Sequence, residues 1–425
     1  MLLPLLASFC LAQIGSPKIE DAVVYEANLR ACGGFAGVSK RLDALHELGV
    51  NVLWLMPIQP VGKIRSAGGL GSPYAIADFD KVNPEFGTPE EFRRLIEGAH
   101  RRNIAVVLDW VANHTAWDNP WLKNHPDWYT HDAKGEITIP AGTNWQDVAD
   151  LNYDNRDLRK AMTASMKGWI DRYGVDGFRC DAADFVPFDF WKEAVSTLRK
   201  SQRRPLFMLA EGFRADHYAA GFDLTFGWNF YHKLRDIYKG AKASDLVSAV
   251  QAESRDIPPG ARRLRFLTNH DESAWQGTIL DFFKTDEGVK TAFTVTALYG
   301  GTPLIYTGQE VSWPKRIPIF ENSTIDWNRD PQAVKAIAAL FDLRRRHAAL
   351  RTGTISDVST DDAIVFVRKQ GADEALVVAN VRSRPINLRL GKAGQGAWRD
   401  GWTGKPATLE PNISLPAYGC KVFFR

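Results

Sequence analysis

Three acidic residues stand where short apolar runs stop: Asp181 closing Gly-Phe-Arg-Cys-Asp, Glu211 closing Phe-Met-Leu-Ala-Glu, and Asp271 closing Thr-Asn-His-Asp. The runs Val175–Asp181, Leu206–Glu211 and Arg265–Asp271 each read as a buried strand. An acid at the end of a hydrophobic strand is costly to bury unless it is paired or used. Three of them amid alternating strand and helix patterns point to one catalytic face at the carboxyl ends of parallel strands. Arg179 precedes Asp181 by two residues, so both side chains leave the strand on the same face. A permanent cation there should hold Asp181 ionised and lower its pKa, which suits a nucleophile. Glu211, ending the next strand, would sit beside them as proton donor. Asp271, with His270 before it, would come from a strand two further on. Two carboxyl groups are the minimum for glycoside hydrolysis, and a third can stabilise a cationic transition state. Simple neutralisation of basic residues at a barrel mouth explains any one of these acids better than all three.

The elements that must position these acids are legible from about residue 22 to about 345. Strand-like runs fall at Val23–Leu29, Val50–Ile58, Ala105–Val111, Gly177–Ala182, Leu206–Glu211, Phe222–Phe226, Arg265–Asp271 and Pro303–Gly308. Eight strands separated by helix-period segments argue for a closed (β/α)8 barrel, a TIM-type α/β fold spanning residues 20–345. Pro89 suits a first helical turn, with Phe92, Leu95, Ile96 and Ala99 on one face. Leu158, Met162, Met166, Trp169, Ile170 and Tyr173 form a second stripe, read as packing against the sheet. The connection after the third strand breaks the rhythm. Residues 113–156 are rich in Trp, Asn, Asp and Pro without helical period, as expected of a small inserted subdomain. From about residue 350 to 425 the pattern turns to short alternating strands, Ala363–Arg368, Ala375–Asn380, Ile386–Leu390 and Lys421–Phe424, read as a C-terminal all-β sandwich domain.

Composition narrows the function classes. The chain has 425 residues, 45% of them apolar, enough for a large core and more than one domain. Its 53 Lys and Arg against 50 Asp and Glu leave a net charge of +3, with no electrostatic footprint for nucleic acid. Most of the 14 Trp are expected in the core, and surplus Trp in loops is also what a sugar cleft needs for stacking platforms. Met1–Ala12 has the length and apolarity of a signal-peptide core but no basic n-region, which favours a secreted or periplasmic protein over a cytoplasmic one with an apolar arm. No run approaches the roughly 18 apolar residues of a transmembrane helix. Cys32, Cys180 and Cys420 form no disulfide framework or metal-binding pair, and Cys180 points away from Arg179 and Asp181.

Six motifs carry a resemblance to a known family. Asp109-Trp-Val-Ala-Asn-His-Thr115, Gly177-Phe-Arg-Cys-Asp-Ala182, Ala210-Glu-Gly212 and Thr268-Asn-His-Asp271 resemble, in order, the four sequence regions of the α-amylase family of glycoside hydrolases. Gly71-Ser-Pro-Tyr-Ala-Ile-Ala-Asp-Phe79, with the following Val82-Asn-Pro-Glu-Phe-Gly87, and Asp150-Leu-Asn152 are similar to two further motifs. The resemblance implies a retaining hydrolase of α-1,4-glucosidic bonds in starch or maltodextrins, with Asp181 as nucleophile, Glu211 as general acid/base and Asp271 as transition-state stabiliser. It makes Arg179, His114 and His270 contacts at the sugar beside the scissile bond or supports of the nucleophile. Tyr74 becomes the aromatic platform and Asp109 a structural partner.

The same resemblance matches Asn113 and Asp150 to calcium ligands, and hard oxygen ligands suit that ion. No organic cofactor or zinc motif is expected. Many relatives carry Lys-His three and four residues after the nucleophile, where this chain has Asp184 and Phe185, so a typical aglycone site is in question. An α-glucosidase, cyclodextrin-type hydrolase or transglycosylase would use the same triad. A non-catalytic glycan- or partner-binding barrel would have no need of all three acids, Arg179 and both histidines. The expected partner is an oligo- or polysaccharide; oligomeric state is left open.

Overall fold

The computed structural model describes residues 14–425; the expected signal segment Met1–Ala12 lies outside them. Eight parallel strands close into a barrel: β1 (Val24–Ala27), β2 (Val52–Leu55), β3 (Ala105–Val111), β4 (Gly177–Asp181), β5 (Phe207–Ala210), β6 (Leu224–Phe226), β7 (Arg262–Arg265) and β8 (Thr302–Tyr306). Each pairs with its neighbours in sequence, and β8 closes on β1 through Val24↔Leu304. Side-chain alternation divides each strand between two cores. Val24, Val107, Leu209, Leu264 and Leu304 fill the barrel interior, while Tyr25, Leu53, Leu108, Phe178 and Met208 face the surrounding helices. The period of two then places Glu26, Asp109, Arg179, Asp181 and Glu211 on the inward face, above the apolar plug.

The helices start and stop for local reasons. Helix Pro89–His100 opens with a capping box between Thr88 and Glu91 and buries Phe92, Leu95, Ile96 and Ala99. Helix Arg156–Tyr173 is capped by Asn155 and ends at Gly174, which adopts the left-handed conformation. Gly177, opening β4, is required by close approach: a Cβ there would lie 1.9 Å from the Phe207 carbonyl oxygen. In the segment after β3, short strands His114–Ala116 and Val148–Asp150 pair antiparallel, His114 opposite Asp150.

The seventh strand departs from expectation. It runs over Arg262–Arg265, not Arg265–Asp271, so Asp271 precedes a single helical turn, Glu272–Gln276, above the barrel. Pro303 stands opposite Arg265 and has no N–H to extend the ladder, and β6 ends opposite Leu264. The apolar residues Phe266 and Leu267 are buried all the same, without strand pairing. Burial and strand pairing are therefore separable at this position.

Beyond helix Pro331–Arg346, a six-stranded antiparallel sheet and a two-stranded sheet, Ile386–Arg389 with Asn412–Leu415, pack face to face. Val365, Leu376, Val378 and Phe423 fill the space between the sheets. Their alternates Ile364, Phe366, Val377 and Val422 join the core that surrounds the barrel. Arg382 reaches back to the carbonyls of Ile237 and Ala241, both at 2.7 Å. The strands Thr354–Asp357, Ala397–Asp400 and Pro406–Thr408 have no counterpart in the sequence analysis, because each is mostly exposed and lacks a continuous apolar face, and neither does Asn412–Leu415, whose two buried residues Ile413 and Leu415 make too short an alternation to mark a strand. Among the described residues no helix is long and apolar enough to cross a membrane.

Candidate active site

A cleft of about 740 Å³ opens at the carboxyl end of the barrel, lined by Tyr74, His114, Asp181, Glu211, His270 and Asp271 among others. Its highest-numbered lining residue is Phe320, so the C-terminal sheets contribute nothing to it among the described residues.

Arg179 organises the cleft floor. It is fully buried, and its Nη1 donates to Asp109 Oδ1 at 2.7 Å and to Asp181 Oδ1 at 2.8 Å. Nη2 lies 2.9 Å from Glu211 Oε1 as an ion pair, off the hydrogen-bonding direction. Asp109 is satisfied on its other oxygen by the Trp54 indole N–H and the Tyr74 hydroxyl, both at 3.1 Å. Trp54 also lies under the Arg179 guanidinium, 4.9 Å from ring centroid to Cζ. A buried cation is thus paired with carboxylates and stacked on an aromatic ring, which offsets much of its desolvation cost.

A second cation sits beside it. His270 is buried, and its Nδ1 faces Glu26 Oε1 in a short contact, while Nε2 lies 2.7 Å from the Tyr74 hydroxyl and 3.4 Å from Asp271 Oδ2. Burial opposes the imidazolium, but Asp271 and Glu26 outweigh it and raise its pKa to about 9. The protonated ring then donates from both nitrogens, and the Tyr74 hydroxyl passes its own hydrogen to Asp109. Tyr74 and His270 stack with centroids 5.1 Å apart, which fixes the Tyr74 ring at the base of the cleft.

The carboxyl groups titrate upward, not downward as expected for Asp181. Burial raises Asp181 to about 6, and Asp109 and Asp271 add to it against the opposing pull of Arg179. Burial raises Glu211 further, to about 7, again with Arg179 opposing and Asp181 and Asp271 reinforcing. The reason is a charge imbalance. Arg179 and protonated His270 face Glu26, Asp109, Asp181, Glu211 and Asp271, so the cluster as a whole favours taking up a proton. Glu211 takes up its proton at the higher pH of the two, which leaves Asp181 the more readily ionised.

The turn between β4 and the next helix completes the arrangement. Ala182 adopts the left-handed conformation, φ 43° and ψ 41°, an uncommon state for a residue with a Cβ. That twist turns its N–H onto Glu211 Oε2 at 2.8 Å. His114 is buried beside Trp145, with centroids 5.4 Å apart, and burial lowers its pKa to about 4, so it serves as a neutral ring. Phe185, Phe213 and Trp275 line the cleft with exposed rings.

The two residues matched to calcium ligands stand on adjacent segments, joined by the His114–Asp150 pairing and the Leu151 N–H on Asn113. Asn113 turns its side-chain amide to the His114 ring at 3.2 Å, and its carbonyl accepts from Leu151. Asp150 is a half-buried carboxyl whose pKa burial raises. Two side chains are fewer than the six to eight oxygens calcium takes, so main-chain carbonyls or water would have to complete a site there.

Glu26 and Trp54 join the site without having been marked by the motifs of the sequence. Glu26 closes the apolar run Ala22–Tyr25 as the other acids close theirs, so the same rule applied to the first strand would have found it. Trp54 carried no such signal. Its role depends on the inward phase of β2, which only the closed barrel defines.

Known proteins resemble this chain in sequence and fold. The catalytic-domain model of the Alpha-amylase family matches residues 22–360. The chain is 28% identical over 397 residues to "Alpha-amylase MalA" of Haloarcula japonica, covering 87% of this chain but 57% of that protein, so it spans little more than half of that relative's length. It is 26% identical over 415 residues to "Alpha-amylase 2" of Dictyoglomus thermophilum, covering 91% and 70%. Among solved structures, the maltogenic alpha-amylase AmyB of Thermotoga neapolitana superposes with a TM-score of 0.86 at 27% identity, covering 96% of this chain and 99% of that one. With its barrel, its cleft and a family match over most of its length, this chain belongs to the alpha-amylase family of glycoside hydrolases.

Proposed function

We propose that the protein hydrolyses α-1,4-glucosidic bonds of starch, maltodextrins or related glucans with retention of configuration. The observation that carries this reading is the single guanidinium of Arg179 in contact with both Asp181 and Glu211. Two carboxyls on one planar group stand close, as suits the roughly 5–5.5 Å pair of a retaining enzyme more than the 6.5–9.5 Å pair of an inverting one.

The chemistry then follows from the protonation states. Asp181, ionised at neutral pH, attacks the anomeric carbon from below as Glu211 gives its proton to the departing glycosidic oxygen. The C–O bond to the leaving sugar breaks and an ester to Asp181 forms, with inversion at the anomeric carbon. Glu211, now a carboxylate held by the Ala182 N–H and Arg179, takes a proton from water as the water oxygen displaces Asp181. A second inversion restores the original anomer, and Glu211 is protonated again. Asp271, more exposed than Asp181 and in contact with His270, is available to the sugar hydroxyls beside the reacting carbon. Tyr74 offers its ring as the platform under that sugar, and neutral His114 offers a hydrogen bond without added charge.

The test is product analysis over time with soluble starch, maltotriose and a β-cyclodextrin, the anomer of the first product being read by proton NMR. Release of α-anomers from linear glucans is expected. Release of β-anomers would overturn retention, and absence of cleavage on all three would overturn hydrolysis. Preferential opening of the cyclodextrin, or transfer to a second sugar, would move the assignment to the cyclodextrin-type or transferring members of the family.

A further inference from the structure

The turn after β4 makes a second set of contacts that the chemistry above does not use. Asp184 stands where relatives carry a lysine on the leaving-group side, yet its carboxylate points into the loop that follows β5. Its Oδ2 accepts from the Phe213 N–H at 2.8 Å, and its Oδ1 accepts from the Arg214 N–H at 3.3 Å and lies 2.7 Å from His217 Nε2. Arg214 returns a bond from its guanidinium to the Asp184 carbonyl at 3.1 Å. Gly212 makes this approach possible, since a Cβ there would come 2.2 Å from Asp184 Oδ1. His217 is fully buried, so this end of the clamp is anchored inside the protein.

The contacts run in register beyond the ends of both strands. Ala182 donates to the Glu211 carboxylate at 2.8 Å, Ala183 donates to the Glu211 carbonyl at 2.9 Å, and Asp184 accepts from residues 213 and 214. Three successive residues after the proposed nucleophile therefore hold Glu211, Phe213 and Arg214, three of the four residues that begin with the proposed acid/base. The two loops also present Phe185 and Phe213, exposed by 54% and 57%, on the cleft wall. Rings that exposed have little packing of their own, so their placement depends on the backbone that carries them. Phe185 meets Trp145 at 6.0 Å and Phe213 meets Trp228 at 6.2 Å between centroids.

We propose that Asp184 is a positioning residue for Glu211 and for the aromatic wall on the leaving-group side: its carboxylate locks the loop after β5 to the turn after β4. The inference rests on the hydrolase reading above. Glu211 serves both half-reactions, and in the first it delivers a proton, so the clamp's effect on glycosylation should depend on how much the leaving group needs that proton.

The experiment compares Asp184→Ala and Asp184→Asn with the unmodified protein on two substrates, a linear maltodextrin and 2,4-dinitrophenyl α-maltoside, whose phenol departs unprotonated. General acid catalysis contributes on the order of 10²–10⁴ in rate, so partial misplacement of Glu211 should cost maltodextrin roughly 30-fold in kcat. The dinitrophenyl substrate should lose less than about 3-fold in its glycosylation step, read as the burst of phenolate. Asp184→Asn keeps an acceptor for the Phe213 N–H and should fall between the two. It carries the test if thermal unfolding shows that Asp184→Ala is poorly folded. Equal losses on both substrates, or no loss on maltodextrin in a folded variant, would overturn the positioning role. If the unmodified protein cleaves neither substrate, the hydrolase reading itself fails, an outcome distinct from a failure of the clamp.

Discussion

Arg179 Nη2 lies 2.9 Å from Glu211 Oε1 while the other arm of the same guanidinium bonds Asp109 and Asp181. One buried cation therefore sets the spacing of the two acids proposed to react and lowers the cost of ionising each. Replacing Arg179 by Met should leave three buried carboxyls without it. The expected cost is about 3–5 kcal/mol of stability, since removing one partner of a buried ion pair strands the other. Urea unfolding at neutral pH checks this, and glucan hydrolysis should fall with it. A stability change below about 1 kcal/mol would show that His270 alone carries the cluster's charge.

The roles of Asp181 and Glu211 separate with activated substrates. Asp181→Asn and Glu211→Gln should each lose most hydrolysis of natural glucans. An aryl glycoside with a very acidic phenol should still glycosylate the Glu211→Gln enzyme, and added azide should then yield an α-glycosyl azide. Asp181→Asn should give at most a β-azide by direct attack. Exchange of the two azide products would exchange the two roles, and near-normal starch hydrolysis in both would remove the assignment.

The pH profile follows from the upward shifts. In the proposed roles Asp181 works ionised and Glu211 protonated, and the two are raised to about 6 and about 7. Below the lower value Asp181 takes a proton and the nucleophile is lost; above the higher value Glu211 loses its proton and the acid is lost. A narrow bell in kcat/KM is expected, with limbs near these values as properties of the interacting pair. A broad plateau from about pH 5 to 9 would contradict the shared desolvation of the two groups.

His270 links the cleft to stability. Its pKa is raised to about 9 from an ordinary value near 6.5, so protonation of the folded state contributes stability that is fully present below about 6.5 and lost as pH rises through about 9. Glu26→Gln removes one of the carboxylates that hold the charge. The His270 midpoint, read from ring proton shifts, should fall in that variant, and its stability should decline less between pH 6.5 and 9 than in the unmodified protein. An unchanged midpoint would assign the raised pKa to Asp271 alone.

Metal removal should matter little. Asn113 and Asp150 bring too few oxygens together, so dialysis against EDTA is expected to leave the unfolding temperature and hydrolysis unchanged. A fall of several degrees reversed by calcium would reveal an ion held by main-chain carbonyls that the side chains do not announce.

Much of this site can be read from local order. Period two along each strand puts Arg179 with Asp181, and the recurring acid after an apolar run marks Asp181 and Glu211, because strand geometry is a local property of the chain. The same logic locates β3, β4 and β5 and the capped helix Pro89–His100. It overreaches at Asp271, where the apolar run continues past Arg265, the last residue paired (opposite Pro303), into a segment that is buried but unpaired. Other properties belong to the closed barrel alone. Glu26 meets His270 across 244 residues, Asp109 gathers Trp54, Tyr74 and Arg179 from separate strands and loops, and Asp184 finds its partners on another loop. The direction of the Asp181 shift also reversed between the two levels. A neighbouring arginine in sequence predicts a lowered pKa, but desolvation and the sum of converging carboxylates depend on what the fold brings within a few ångströms, and that sum has no representation along the chain.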